Sequence, residues 1–201
     1  PVPGMNLDVV NDDGESVTEK NGYLVIKSPW PGMTRGLLND DQRYIETYWS
    51  KFENIWFHGD YVLKDEDNLW YMQGRTDDVI NVSGHRMSTA EIEHTVISHK
   101  KISDAASIAI PDDITGEAIV VFFVAENKDD TNLENEITEH ISKKIGKIAK
   151  PRLIIQLTDL PKTRTGKIMR RLLKSKILGK PLGDLSSLEN PHILNEIQKI
   201  N

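Results

Sequence analysis

Two apolar runs, Ala105–Ile110 and Ala118–Ala125, set the strongest limit on what this chain can fold into. Neither alternates polar with apolar residues, so each reads as a buried strand, and Pro111-Asp112-Asp113 marks a break between them. Such strands need covering layers, and the flanking sequence offers them. Ser88-Thr89-Ala90-Glu91 is a capping box that opens a helix over 90–98, with Ile92, Val96 and Ile97 apolar. Ile137, Ile141, Ile145 and Ile148 recur at helical spacing over 132–148. Residues 168–178 read as a basic helix closed by Gly179 and Pro181. Val79–Val82 and Arg86-Met87 flank Ser83-Gly84 as a hairpin, and Leu153–Leu157 adds a strand. Hairpin, α, β, β, α, β, α is the order of a compact α+β domain, expected over 79–180 with a mixed sheet and flanking helices.

Residues 1–73 read as part of an antiparallel β-subdomain. Leu7–Val10 precedes the turn signal Asn11-Asp12-Asp13-Gly14, and the strand Tyr23–Lys27 ends at Pro29, Pro31 and Gly32. Asp40 or Asp41 caps a short helix from Asp41 to Trp49. Strands follow at Ile55–His58, Tyr61–Lys64 and Leu69–Gln73, with turns expected at Gly59-Asp60 and across 65–68. Residues 74–78 read as an interdomain linker, and 181–201 as a polar tail with a short helix possible from Pro191. The chain opens abruptly inside a β-rich region, so a fragment is expected.

Lys and Arg number 25 against 31 Asp and Glu, a net charge of −6, which gives no general affinity for nucleic acid. The lack of cysteine excludes disulfides, thiolate metal sites and a thiol nucleophile. No apolar run approaches the ~20 residues a membrane span needs, and Pro1-Val2-Pro3-Gly4 is not the start of a signal peptide. No membrane partner and a cytoplasmic setting are therefore expected. Gly166-Lys167 resembles the end of a phosphate loop, but Pro161 stands where its first glycine belongs.

Several polar positions could carry chemistry. Lys167 reads as sitting at a helix mouth after Gly166, where a cation opposes the helix field. Either it awaits an anion from outside the chain or it is a solvated surface lysine. A carboxylate at Asp60 could accept from two ribose hydroxyls, or serve as an ordinary turn aspartate. Arg75 could grip a phosphate, or pair with a neighbouring aspartate. Ser83-Gly84-His85-Arg86 puts a hydroxyl, a bare backbone and a cation on one hairpin tip, which suits an extended polar ligand or a plain exposed turn. Lys143, Lys144, Lys147 and Lys150 form a basic run whose ordinary role is a solvated helix face.

Taken together these pieces are more specific than any one of them. Gly59-Asp60, Asp65-Glu66-Asp67, the unbroken run from Gly74-Arg75-Thr76-Asp77-Asp78 to Ser83-Gly84-His85-Arg86, Thr89-Ala90-Glu91-Ile92-Glu93, and Leu160-Pro161-Lys162-Thr163-Arg164-Thr165-Gly166-Lys167-Ile168-Met169-Arg170-Arg171 closely resemble the C-terminal part of the adenylate-forming enzymes. Within that superfamily, Ser28-Pro29-Trp30-Pro31-Gly32 and Gly183-Asp184-Leu185-Ser186-Ser187-Leu188 look most like the AMP-forming acetyl-CoA synthetases.

The resemblance implies a two-step reaction with ATP, accompanied by Mg2+, and with CoA as the second substrate. A carboxylate such as acetate attacks ATP to give an acyl-adenylate and pyrophosphate; the CoA thiol then displaces AMP. By motif, Lys167 is the lysine of the first step, meeting the substrate carboxylate and the α-phosphate. Asp60, Arg75 and Arg86 would contact the nucleotide, Ser83 and Gly84 the CoA channel, and Asp77 would be the hinge on which the small domain turns between steps. The family's CoA-phosphate arginine falls on Ser142, where Lys143 or Lys144 is the expected substitute. Asn68 replaces a usual glycine and tolerates the same backbone. Ile97, His99 and Ile102 occupy places where some relatives hold a metal ion by carbonyls. The phosphate loop and acyl pocket of the large N-terminal adenylation domain are not in this chain, so the chain alone is expected to be inactive. Propionate or a medium-chain acid in place of acetate, and a non-catalytic interaction module, are the alternatives. A lysine that must reach another domain is also open to acylating and deacylating enzymes, and acylation of Lys167 would remove its charge.

Overall fold

In the computed structural model, residues 2–127 and 133–199 are described, and they form two units, 1–77 and 78–201. The first unit is a four-stranded antiparallel sheet, β1 (Leu7–Val10), β2 (Lys20–Ile26), β3 (Trp56–Lys64) and β4 (Trp70–Arg75), in sequence order. Leu7 faces Ile26, Lys20 faces Lys64, and Asp60 faces Arg75 across the pairs. Val9, Leu24 and Val62 pack together as one buried cluster, and Val10, Val25, Ile26 and Trp56 are buried as well. Helix α1 (Asp41–Tyr48) is capped by Asp40, which accepts from the Arg43 N–H at 3.3 Å. It follows the expected span, and Tyr48 stacks on Trp56 of β3 with ring centroids 4.3 Å apart.

One expectation fails here. Gly59-Asp60 is not a turn between two strands: residues 56–64 are one continuous strand. Gly59 has φ +88° inside it. The reason lies on the neighbouring strand, where a Cβ at Gly59 would come within 2.6 Å of the Arg75 guanidinium. The glycine makes room for that side chain rather than reversing the chain.

The second unit is built on β7 (Ile102–Asp112) and β8 (Gly116–Ala125), paired antiparallel over nearly their whole length. β5 (Ile80–Val82) and β6 (His85–Met87) form the hairpin, which joins the start of β8 through Val82 and Gly116. β9 (Leu153–Gln156) lies parallel to β8, so the sheet is mixed as expected. The apolar strands are buried on both faces for a visible reason. Ile119, Val121 and Phe123 point into one core with α2 (Thr89–Ile97) and α3 (Leu133–Lys144), through Ile92, Val96, Ile137 and Ile141. Val120 and Phe122 point into another with α4 (Arg170–Ile177), through Leu172, Leu173 and Ile177. Each fully buried side chain of this size contributes roughly 1.5–3 kcal/mol.

Two helix boundaries move. The isoleucine stripe over 132–148 is not one helix: α3 ends at Lys144, Gly146 has φ +126°, and a single 3₁₀ turn follows at 147–149. Ile148 is consequently exposed, and Asn132 lies outside the described residues. The basic helix begins at Arg170 rather than Ile168. The supposed polar tail is also part of the unit, since Ile193, Leu194 and Ile197 are buried in the second core.

Candidate functional site

The candidate residues fall in three places. In the first unit, the cross-strand partners Asp60 and Arg75 meet, with Arg75 Nη1 at 3.4 Å from Asp60 Oδ1. Asp60 also accepts from His58 Nδ1 at 2.7 Å. Arg75 Nη1 donates to the His58 carbonyl at 3.3 Å, and its Nε pairs with Asp77 Oδ1 at 3.3 Å. Thr76 Oγ1 donates to the Gly59 carbonyl at 3.2 Å. The result is a carboxylate largely shielded from solvent beside a half-exposed guanidinium. Asp77 itself is exposed, in a single 3₁₀ turn over Thr76–Asp78.

In the second unit, Ser83 (φ +51°) and Gly84 (φ +83°) form the tip of the β5–β6 hairpin. Two successive left-handed residues match the type I′ turn that suits strand twist, and glycine takes the second at no steric cost. The Ser83 N–H donates to the Thr115 carbonyl at 2.8 Å, which fastens the tip to the β7–β8 turn. A Cβ at Gly84 would touch nothing, so the backbone there is open to a ligand. Arg86 stands on β6. Beside the tip is a cleft of about 350 Å³ whose lining includes Val82, Ser83, Ile114, Lys147, Lys150 and Arg152. Its cations thus come from the segment after α3. Lys143 is exposed on the last turn of α3 and does not line the cleft, and Lys144 donates to Ser98 Oγ at 2.8 Å.

The third place is the lysine loop, and here the structure corrects the local picture. Lys167 is not in the first turn of a helix. Pro161–Thr163 and Lys167–Met169 are the arms of a small hairpin: Lys162 and Ile168 bridge, Thr163 N–H donates to the Lys167 carbonyl at 2.9 Å, and Met169 N–H to the Pro161 carbonyl at 2.8 Å. Gly166, with φ +80°, makes the turn, and its N–H donates to the Thr163 carbonyl at 2.8 Å. The Lys167 ammonium has no ion pair among the described residues, so it is available to an anion from outside the chain.

Two residues that sequence reasoning missed brace this loop from within. Arg170, the first residue of α4, donates through Nε and Nη2 to Glu93 of α2, at 2.9 and 2.7 Å. Glu93 is buried and also accepts the Ser107 N–H of β7 at 2.7 Å. Arg170 Nη1 lies 4.0 Å from Asp78 Oδ2. Burial alone would lower the Arg170 pKa, but the hydrogen bonds and charge of Glu93 overcome it and hold the guanidinium cationic. Sequence offered a faint signal, a cation at a helix start where it opposes the dipole.

Among the described residues, no group of three or more histidine, aspartate or glutamate side chains could hold a metal ion. The His99 carbonyl, which with those of Ile97 and Ile102 makes up the candidate metal position, accepts the Ile102 N–H at 3.0 Å. The His99 ring has Nε2 3.4 Å from Glu136, and its Nδ1 is buried without a hydrogen-bond partner among the described residues.

Comparison with known proteins decides the family. Residues 91–167 match the model of the AMP-binding enzyme C-terminal domain. The acetyl-coenzyme A synthetase of Pyrobaculum arsenaticum is 46% identical over 99% of this chain, and that of Streptomyces avermitilis 43% over 98%. Residues 91–167 belong to the family of that domain, and the chain is similar to acetyl-coenzyme A synthetases along nearly its whole length. It spans about 30% of the length of those relatives. Among solved structures, acetoacetyl-CoA synthetase from Streptomyces lividans superposes with a TM-score of 0.85 at 25% identity, covering 97% of this chain and 30% of its own. An anthranilate CoA ligase in complex with anthranoyl-AMP is 29% identical with a TM-score of 0.72, covering 85% and 32%. No described helix is long and apolar enough to cross a membrane.

Proposed function

We propose that this chain is the C-terminal part of an AMP-forming acetyl-CoA synthetase, working with a large adenylation domain that supplies the phosphate loop and the acyl pocket. In the first step an acetate oxygen attacks the α-phosphorus of ATP, the bond to pyrophosphate breaks, and acetyl-AMP forms. Lys167 meets the carboxylate and α-phosphate and stabilises the charge that develops between them. In the second step the CoA sulfur attacks the acetyl carbonyl, its proton departs, and AMP leaves. Ser83 and Gly84 line the path of the pantetheine arm. Asp60 takes the ribose hydroxyls, Arg75 and Arg86 the phosphate side of the nucleotide, and Asp77 is the hinge that exchanges the lysine loop for the β5–β6 hairpin. Mg2+ enters with ATP, and the carbonyls of Ile97, His99 and Ile102 have no part in the chemistry proposed.

The observation that carries this reading is an ammonium without an ion pair among the described residues, at the tip of a braced hairpin, in a chain similar to acetyl-coenzyme A synthetases. Lys167→Ala in the whole synthetase is expected to abolish pyrophosphate release with acetate, ATP and Mg2+, while acetyl-CoA still forms from supplied acetyl-AMP. Equal loss of both steps would remove the role given to Lys167. A panel of acetate, propionate and medium-chain acids, read by pyrophosphate release, tests acyl choice. Acylation of Lys167 should switch off the first step only, which mass spectrometry paired with activity before and after deacylation would check.

A further inference from the structure

The lysine hairpin has an outer edge, and residues 188–190 lie along it. β9 ends at Gln156, and the Leu157 N–H still reaches the Phe123 carbonyl at 2.9 Å. Beyond that point residues 158–163 leave the main sheet and find partners in the C-terminal segment. Thr158 N–H donates to Glu196 Oε2 at 2.9 Å. Glu189 N–H donates to the Lys162 carbonyl at 2.9 Å, and Thr163 bridges Leu188 antiparallel. Asn190 does the most. Its Oδ1 accepts the Lys162 N–H at 3.1 Å, while its Nδ2 donates to Asp159 Oδ2 at 2.9 Å and to the Leu160 carbonyl at 2.8 Å. One side chain thereby holds Asp159 and Leu160, just before the hairpin's incoming arm, and Lys162 within it. The segment is itself anchored, since Ile193, Leu194 and Ile197 are buried beside Leu172, Leu173 and Ile177.

At the tip, the Lys167 N–H donates to Thr163 Oγ1 at 3.1 Å, and Arg164 Nε lies 3.8 Å from Glu189 Oε2 of the same C-terminal segment. A Cβ at Gly166 would meet nothing within 4 Å, and the Lys167 ammonium has no ion pair among the described residues. The position of Lys167 is therefore set by the two arms. The return arm runs straight into α4, and the incoming arm is held by the tail. The geometry points to Asn190 as a positioning residue for Lys167, with residues 184–197 acting as a clamp on the lysine hairpin. This rests on the role proposed for Lys167 in acyl-adenylate formation. Bound reactants must be held within about 1 Å, and a misplacement of that size costs on the order of a hundredfold in rate. The clamp then serves the first step and leaves the second alone, because thioester formation uses the other hairpin.

Asn190→Ala in the whole synthetase, beside Lys167→Ala, tests this. Expected for Asn190→Ala is a roughly tenfold to hundredfold fall in kcat for pyrophosphate release, with the rate of acetyl-CoA formation from supplied acetyl-AMP within about twofold of the parent. The double variant Asp159→Asn with Asn190→Asp reverses the donor and acceptor of one contact and keeps an acceptor for the Lys162 N–H, so it should recover part of the first step. A parallel fall in both steps would show a purely structural residue and overturn the clamp, as would an unchanged first step. If Asn190→Ala does not fold, Asn190→Ser is read by the same split. Full adenylation by Lys167→Ala would instead remove the role of the lysine, and the positioning role with it, whatever Asn190→Ala does.

Discussion

At the scale of single residues, the buried pair Glu93–Arg170 is the strongest polar commitment in the second unit. Removing one partner of a buried pair strands the other charge and costs about 3–5 kcal/mol, with the lower end fitting a guanidinium a quarter exposed. Glu93→Ala should therefore shift the chemical denaturation midpoint by a large fraction of the unit's stability, while Glu93→Gln, which keeps an acceptor, should lose less. Equal losses would mean that the charge of Glu93 is not what counts. Gly59 gives a second prediction. Alanine there meets both a left-handed backbone, worth roughly 1–2 kcal/mol, and the Arg75 guanidinium at 2.6 Å. Because that guanidinium is the half-exposed end of a flexible side chain, it should yield. Gly59→Ala is expected to raise the KM for ATP in the synthetase more than it lowers kcat, as steady-state kinetics at varied ATP would show. Neither residue was legible as such. Gly59-Asp60 carries a turn signature, and the feature that overrides it is Arg75, sixteen residues away on another strand.

At the scale of elements, the incoming arm of the lysine hairpin carries a charge cluster that predicts its pH behaviour. Burial works to raise the Asp159 pKa, but the Leu160 N–H, Lys162 and Asn190 bring it below the usual 3.8. The hydrogen bond to Asp104 raises Lys162 above the usual 10.5; burial opposes this and Asp159 adds to it. The signs follow. The contribution of Asp159 is whole above pH 3.8 and is lost as the pH falls through its lowered folded value. That of Lys162 is whole below pH 10.5 and is lost as the pH rises through its raised folded value. Melting temperature measured against pH should thus fall less steeply on the acid side in Asp159→Asn, and less steeply on the alkaline side in Lys162→Gln. Curves merely displaced from the parent without change of slope would contradict it. Most elements were readable in advance. The capping box placed α2, and the unbroken apolar runs placed β7 and β8, because burial on both faces leaves no alternation. The lysine loop was not, since a glycine and a lysine ahead of a helical pattern look like a helix mouth. The hydrogen bonds that make it a hairpin show only in three dimensions.

For the whole molecule, the C-terminal segment is the decisive part. Ile193, Leu194 and Ile197 are buried, and at roughly 1.5–3 kcal/mol each they contribute several kcal/mol, against a stability of about 5–15 kcal/mol for an ordinary domain. A chain ending at Leu182 should therefore lose its cooperative thermal transition in the second unit, or melt far below the parent in calorimetry. An unchanged transition would show that the segment only lies on the surface. By itself the sequence determined the α+β class, the two covering layers over β7 and β8, and the family, because those depend on periodicity and on contiguous motifs. It could not determine that Ile193, Leu194 and Ile197 belong to the core, that Gly59 lies inside a strand, or that Arg170 pairs with Glu93. Those facts depend on contacts between residues far apart in the chain, and only the packed structure, in which each buried polar group must find a partner and each apolar face a cover, brings them together.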